Sequence, residues 1–381
     1  MTAPSDRYSP DPNILERKVG EYLEHLNSGR PHEHRERTTE EAASITRISR
    51  RAVMWAAAAG IVSGGIIGGG EVYMRVVMLD GMEDLPWQTQ LYYWTIFFAF
   101  AGVVSAVEIV FLYWTALRAI ARTTQVSGVV LGSGAYADLT ARGLARAALE
   151  FPNPRVEIFG IDPYAYMPGW QIAARNIAYK LKVGVSSFLL RVFLRRVLGR
   201  MAVRGIVPLV AGPLYAIWNA LITWRIMNEA RIRMLGPFAI EELIGRISEK
   251  QRELSPGAAD LMLQGVGEAL KRACDAHPNY VALLARLRDV LGSDVENLEV
   301  DWESARGRLA QLEPAERELI LDVLVLATIL GSTINSGQKL MLGEACGKAG
   351  AGFRPAALDL LRNKLKTGRR IGPEDLAAVR K

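Results

Sequence analysis

The chain has 381 residues, half of them hydrophobic, with a formal net charge of +6 and a mean hydropathy of +0.11. A mean hydropathy above zero argues against a purely water-soluble enzyme, because part of so much apolar surface is expected to face lipid. The two cysteines, Cys274 and Cys346, lie far apart, which excludes a disulfide framework and a cysteine-based metal site. Both are expected in a reduced core.

The first part of the chain, residues 1–50, is polar and is expected to be a cytoplasmic region. Thr38 and Glu41 have the spacing of a capping box, which predicts a helix that begins there and continues into the apolar segment that follows. The sequence PHEH brings His32 and His34 close together, yet histidines in a solvated tail rarely hold a metal. We therefore predict no metal site and no cofactor.

The next segment, AVMWAAAAGIVSGGIIGGG at 52–70, contains no charged residue and is long enough to cross a hydrocarbon core of about 30 Å. A phosphate-binding loop is excluded, because Glu71 and Val72 follow the last glycine where the P-loop pattern requires Lys and Ser or Thr. The glycines recur every four residues, a spacing that lets another helix approach closely in lipid. The predicted helix-packing residues are Gly60, Gly64, Gly65, Gly68 and Gly69.

A second apolar segment, residues 91–117, is flanked by aromatic residues and predicts a second transmembrane helix. The loop between the two segments is acidic, whereas the outer flanks are basic. The positive-inside rule then predicts a two-helix hairpin over 51–120, with both termini in the cytoplasm. The basic flanking residues are Arg47, Arg50, Arg51, Arg118 and Arg122.

Glu108 lies well inside the second segment, and an ionisable residue at that depth carries a functional hypothesis. The favoured interpretation is a protonated carboxyl group bonded to Ser63, Ser105 or a backbone carbonyl. The alternative is a proton or ion path in a channel or transporter. A single intramembrane acid favours the first interpretation, because a path usually needs several such residues.

The segment 126–162 can also be read as strand, Gly-x-Gly, helix, strand and acid. Gly132, Gly134, Ala137 and Asp162 would then form a dinucleotide-binding fingerprint. The third position of that fingerprint is Ala, and no further βα units follow. The favoured reading is a glycine-rich turn, a helix over 135–150 and a proline-rich loop.

Between residues 163 and 228 there are nine basic residues and no acidic one. Bulky apolar residues separate the bases, which is typical of a helix at the headgroup level of an anionic leaflet. Packing against other domains and nucleic-acid binding are the alternatives, and the absence of a nucleic-acid-binding motif disfavours the latter. The predicted lipid-surface residues are Arg175, Lys180, Lys182, Arg191, Arg195, Arg196, Arg200 and Arg204.

Residues 205–224 are apolar and long enough to span a membrane, but prolines and an asparagine interrupt them. We therefore predict a re-entrant or buried helix, with a true membrane span as the alternative. The sequence RGIVPLVAGPLYAIWNALITWR, followed by EARIRMLGP, resembles the closing motif of bacterial EcsC-like membrane-associated proteins. The sequence departs from it at Pro213 and Trp218, where small residues are more usual. The resemblance implies a bacterial membrane protein and no catalytic residues. The matching positions are Pro208, Gly212, Asn219, Ala230 and Arg231.

Beyond Pro237 the apolar residues recur at helical spacing, and prolines and glycines separate the runs. This pattern predicts a soluble helical bundle, with helices near 238–252, 257–274, 279–291, 301–310, 314–330, 336–349 and 355–365.

Residues 314–350 resemble the TerB-like helical module. Where that family carries an Asp-Gly turn and a Glu, this chain carries Gly331, Ser332, Ile334 and Gln338. Both carboxylates are missing, so the resemblance implies an interaction module without a metal.

The sequence as a whole predicts an all-α protein in four parts: a polar region (1–50), a transmembrane hairpin (51–120), a basic membrane-apposed core (121–237) and a TerB-like domain (238–381). We expect a non-enzymatic scaffold or envelope-stress component of the bacterial inner membrane. Its expected partners are anionic lipids and a second copy or another membrane protein, and not nucleic acid. A channel subunit that uses Glu108 is the first alternative, and a membrane-tethered nucleotide enzyme is the weaker one.

Overall fold

The computed structural model describes residues 13–27, 37–78, 86–129, 137–174, 207–293 and 297–380. Over these residues the protein is helical and contains no strand, which confirms the all-α prediction. The only β-type pairing in the described part is one isolated bridge between Ile158 and Ile161.

The described residues form a succession of α-helices. A π-helical turn, Met74–Met78, extends the helix Thr39–Tyr73, and 3₁₀ turns follow the helices Val207–Lys250 and Trp302–Ala305. In chain order the helices are α1 (Ile14–Asn27), α2 (Thr39–Tyr73), α3 (Trp87–Ser127), α4 (Ala137–Ala148), α5 (Val207–Lys250), α6 (Pro256–Ala273), α7 (Pro278–Leu291), α8 (Trp302–Ala305), α9 (Pro314–Ile329), α10 (Ser336–Lys348), α11 (Pro355–Lys366) and α12 (Pro373–Ala377).

The chain divides into two compact units. The bundle unit comprises Met1–Thr46, Ile120–Pro168 and Asn228–Lys381, and the hairpin unit comprises Arg47–Ala119 and Gly169–Met227. Of the expected core, 121–237, the residues up to Pro168 and from Asn228 onward belong to the bundle unit, and the residues between them belong to the hairpin unit.

Local capping interactions fix where several helices begin. The predicted capping box of α2 is confirmed: the Thr38 N–H donates to Glu41 Oε2 at 2.8 Å, and the Glu41 N–H donates to Thr38 Oγ1 at 3.2 Å. A second capping box, between Asn335 and Gln338, opens α10. Proline in the first turn of α6, α7, α9 and α11 supplies the fixed φ angle without the loss of a needed donor.

Helix α5 differs from the expectation for its sequence. From Val207 it continues without interruption to Lys250, so no re-entrant break exists between 207 and 224, and the helix does not start anew after Pro237. A proline inside a helix removes one hydrogen bond and costs about 3 kcal/mol. Burial of Met234, Leu235 and Ile240 on both sides of Pro237 offsets that cost.

The core of the bundle unit surrounds α9, whose residues from Leu319 to Leu330 are all buried. Helix α9 packs most extensively against α6, and α10 covers both helices. At the N-terminal side, α1 packs against α4, and Arg146 of α4 donates to the buried carboxylate of Glu16 in α1. The polar sequence of residues 1–50 does not predict α1.

Candidate functional site

Two helices among the described residues are long and apolar enough to cross a membrane, and both belong largely to the hairpin unit. The most apolar stretch of α2 is 39% buried, and that of α3 is only 22% buried. The core helix of a water-soluble protein is mostly buried, whereas much of the apolar surface of these two helices is exposed in the described part of the chain. On α3, Val103, Val107 and Val110 are 65%, 66% and 68% exposed.

The first glycine row of α2 lies against α5 within the hairpin unit. A Cβ atom added at Gly60 would lie 2.6 Å from the carbonyl carbon of Tyr215. One added at Gly64 would lie 2.8 Å from the Cα atom of Gly212. Both distances are shorter than real side chains tolerate, so the two helices meet backbone to backbone, as glycine-rich faces allow in lipid.

The second glycine row has different surroundings. Gly65 and Gly69 are exposed, and no described atom lies within 4 Å of a Cβ added at either position. No described residue of this chain packs against them, so their contact with a helix of another copy stays a prediction. Gly68 is buried, in line with the first row. The next glycine, Gly70, contacts α3, because its added Cβ would lie 2.8 Å from the ring of Phe100.

Glu108 is buried in the hairpin unit, and the side-chain amide of Asn219 donates to its Oε1 atom at 2.6 Å. The two side chains are 5% and 2% exposed. Asn219 is not among the partners expected from the sequence. Ser63 and Ser105 are the expected partners. Their hydroxyl groups donate to the backbone carbonyls of Gly60 and Ala101 at 3.3 and 2.6 Å, respectively. An amide that bonds a carboxyl group in apolar surroundings ties α3 to α5.

The dinucleotide-binding fingerprint, the disfavoured alternative for 126–162, does not form as a strand-based unit over the described residues. Gly132 and Gly134 lie outside the described residues, and α4 occupies the predicted helical part. The second strand is absent: residues 158–161 form a tight turn closed by the isolated bridge. The backbone N–H of Tyr164 donates to Asp162 Oδ1 at 2.8 Å, so this acid serves the local turn.

Other predicted positions fall outside the described part of the chain. His32 and His34 lie there, and so do all eight predicted lipid-surface residues, Arg175, Lys180, Lys182, Arg191, Arg195, Arg196, Arg200 and Arg204.

The bundle unit contains a polar cluster that the sequence analysis does not predict. Glu229 of α5 is its centre: Arg233 Nε donates to Glu229 Oε1 at 2.8 Å, and His277 Nε2 lies 3.1 Å from the same oxygen. The hydroxyl group of Ser332 lies 3.0 Å from that oxygen as well. Only the i, i+4 spacing of Glu229 and Arg233 is visible in the sequence.

The hydrogen bonds assign the tautomer of His277. Its Nδ1 atom accepts the backbone N–H of Asn279 at 3.2 Å, which also caps α7. A ring nitrogen that accepts carries no proton, so Nε2 is protonated and donates to Glu229. His277 is fully buried and does not contact Ser332 as a base would contact its nucleophile.

A second carboxylate completes the cluster. Asp275 Oδ2 lies 2.9 Å from the hydroxyl group of Ser332, and its Oδ1 accepts the amide of Asn153 at 2.9 Å. The side-chain Oδ1 atom of Asn153 in turn accepts a hydrogen bond from Arg233 Nη2 at 3.0 Å. The contacts form a closed ring that ties α5, the loop after α4 and the start of α7 to the turn after α9.

The electrostatics of Glu229 favour a structural role. Burial opposes its ionisation, but the charge of Arg233 and the hydrogen bond from His277 outweigh burial and hold the pKa of Glu229 well below its usual range. A carboxylate with a depressed pKa is a weak base, so the cluster is poorly suited to activate Ser332. Within the described residues, no group of three or more His, Cys, Asp or Glu side chains could hold a metal ion.

The positions of the TerB-like resemblance lie beside this cluster and pack inside the bundle. Gln338 is fully buried, and its amide donates to the hydroxyl group of Tyr280 at 2.7 Å. Burial raises the pKa of Tyr280 above its usual range, so the phenol stays neutral. A Cβ added at Gly331 would lie 3.0 Å from the same hydroxyl oxygen, which explains the glycine there.

The positions of the EcsC-like resemblance divide between the two units. Gly212 and Asn219 make the contacts with α2 and α3 described above. Ala230 and Arg231 are buried in the bundle unit, where Arg231 Nη2 donates to the carbonyl of Ile45 at 3.0 Å. Burial lowers the pKa of Arg231 to about 10. Pro208 lies in the first turn of α5, and its surroundings are outside the described part.

A scan against protein-family models finds no match to this chain, and searches of curated proteins and of solved structures find none either. The EcsC-like and TerB-like relationships stay predictions from the sequence.

Proposed function

We propose that the protein is an integral membrane scaffold of the bacterial inner membrane, anchored by α2 and α3 and without enzymatic activity. One observation carries the membrane part of this proposal: the apolar stretch of α3 is only 22% buried. Water would make such a surface aggregate, whereas lipid solvates it without cost.

The scaffold role is supported by the character of the bundle unit. Its central polar cluster pairs each charge with a partner and joins separate helices, which suits a rigid interaction module. The resemblances to EcsC-like and TerB-like proteins support a role in envelope stress. Anionic lipids, and a second copy or another membrane protein, are the proposed partners.

The proposed orientation places both termini in the cytoplasm, because basic residues flank the outer ends of the hairpin and acids occupy its loop. Two measurements test this proposal together. The chain should stay in the membrane pellet after alkaline carbonate extraction, and a Gly81→Cys variant should react with a membrane-impermeant maleimide on intact spheroplasts. Release by carbonate, or a cysteine that reacts only after permeabilisation, would contradict the proposal.

A second candidate function, a channel or transporter subunit, rests on the buried pair of Glu108 and Asn219 in an otherwise apolar unit. Glu108→Gln keeps an oxygen that accepts from Asn219 but removes the titratable proton. A path that uses Glu108 requires ion or proton flux in liposomes that the Gln variant abolishes. No flux from the parent chain favours the scaffold, and equal flux from the parent chain and the Gln variant would contradict a path that uses Glu108.

A further inference from the structure

A cleft of about 300 Å³ opens in the bundle unit, beside the start of α2, the middle of α5 and the loop after α11. Leu235, Phe238, Leu365 and Ile371 supply apolar walls. A volume of this size lies at the lower end of the range for small-molecule sites. We refer to it as the arginine cleft, after the three arginines that line it.

Arg37 is the most firmly held of these arginines. It is 9% exposed, and its Nε and Nη2 atoms donate to the carbonyl of Ser127 at 3.1 and 2.5 Å. Its guanidinium carbon lies 3.4 Å from the centre of the Phe238 ring, a stacked cation–π arrangement. The plane of the guanidinium is therefore fixed before any ligand arrives, which lowers the entropy lost on binding.

The other two arginines are adjacent in sequence and follow Gly368, whose φ of +73° turns the chain after α11. Arg370 donates to Glu242 Oε1 from Nε at 2.9 Å and from Nη2 at 2.5 Å. Arg369 is exposed at the edge of the cleft. Among the described residues that line the cleft, three are arginines and one is a glutamate, which gives these residues a net charge of +2.

We propose that the arginine cleft binds a phosphate monoester with a compact apolar body. A phosphate monoester carries about −1.5 to −2 charges at pH 7, which matches the charge of the lining. Guanidinium groups fit phosphate oxygens through paired hydrogen bonds, and the apolar walls accept the rest of the ligand. The phosphate can come from a soluble ester or from a phosphatidate headgroup. The inference is independent of the proposed scaffold function.

The binding test uses the full-length chain in a neutral detergent and phenyl phosphate as the probe, measured by isothermal titration calorimetry. We expect saturable binding that weakens as ionic strength rises. Phenol, which lacks the phosphate, should not bind. Micelles that contain phosphatidate, compared with phosphatidylcholine micelles, identify the source: displacement of phenyl phosphate by phosphatidate alone indicates a lipid ligand, and no displacement indicates a soluble one.

Three variants connect the binding to the cleft. Arg369→Ala should raise the dissociation constant about tenfold, since it removes a charged donor from an exposed position. Arg252→Ala, which removes an exposed arginine elsewhere in the bundle unit, should leave it unchanged. Glu242→Gln should lower the dissociation constant about threefold, because the substitution removes the charge that pairs with Arg370 and raises the net charge of the lining. A general loss of stability would not tighten binding in this way. The proposal is overturned if phenyl phosphate does not saturate, or if Arg369→Ala and Arg252→Ala bind it equally.

Discussion

At the scale of single residues, glycines at neighbouring positions of α2 have different surroundings. Gly60 and Gly64 lie against the backbone of α5, whereas Gly65 and Gly69 have open space where a side chain would begin. The repeat of four residues in the sequence reveals that glycine rows exist. It does not reveal which row is covered, because that depends on the placement of α5.

The two rows predict opposite results for one substitution. Gly64→Leu should lower the thermal stability of the detergent-solubilised chain, since its Cβ alone would approach the Cα of Gly212 to 2.8 Å, and overpacking of this kind costs about 1–3 kcal/mol. Gly65→Leu is the matched control and should leave the unfolding temperature nearly unchanged. If both variants lost the same amount of stability, the contact between α2 and α5 would not be the cause of the loss in Gly64→Leu.

The Glu229 cluster makes a prediction about pH. The pKa of Glu229 is lower in the folded protein than in the unfolded chain, where it is about 4.3. Its stabilising contribution is therefore complete above that value and is lost as the pH falls towards the depressed folded pKa. Glu229→Gln should lower the free energy of unfolding by about 2 kcal/mol at pH 7, and the difference from the parent chain should shrink below pH 4.

Denaturant unfolding of both chains at pH 7 and pH 3 measures this difference. Glu249→Gln makes the same chemical change at an exposed position and should have little effect at either pH. A deficit of the Glu229 variant that stays constant between pH 7 and pH 3 would show that its charge does not contribute.

At the scale of helices, the sequence predicts those whose ends have local signals. The capping box at Thr38 and the prolines that open α6, α7, α9 and α11 locate helix starts to within a residue or two. The sequence wrongly predicts a new helix after Pro237, because proline is a local stop signal. Tertiary packing overrides this signal, and α5 continues through Pro237 to Lys250. Helix α1 is missed because it lies in a polar region and is held by α4, including the pair of Arg146 and Glu16.

The exposed apolar surface of α3, which faces lipid in the proposed arrangement, gives a prediction at the scale of this helix. Val103, Val107 and Val110 are exposed, so changing all three to Asp would disturb little in water. At the centre of a membrane helix each Asp costs about 2.5–3.5 kcal/mol, or about 8–10 kcal/mol together. The triple variant should therefore lose carbonate-resistant membrane insertion.

A matched control changes three exposed apolar residues of the bundle unit, Ile14, Leu340 and Leu360, to Asp. These positions face water in the proposed arrangement, so insertion should be unaffected. Normal insertion of the α3 triple variant would mean that this surface does not face lipid.

At the scale of the whole molecule, the sequence predicts the class of fold and the apolar hairpin, because both follow from short-range patterns. It does not predict the pairs that bring distant residues together. Glu108 meets Asn219, and Glu229 meets Ser332, across more than a hundred residues each. Such contacts depend on how α5 packs in each unit, and no spacing rule along the chain encodes that packing.

The two native cysteines test the orientation of the whole molecule without any substitution. Cys274 is half-buried, whereas Cys346 is fully buried, and burial raises the pKa of its thiol to about 11. If the bundle unit is cytoplasmic, a membrane-impermeant maleimide should label neither residue on intact spheroplasts. After permeabilisation it should label Cys274, and Cys346 should react only after denaturation, because its thiol is neutral and shielded. Peptide mapping by mass spectrometry distinguishes the two sites, and labelling of Cys274 on intact spheroplasts would reverse the proposed topology.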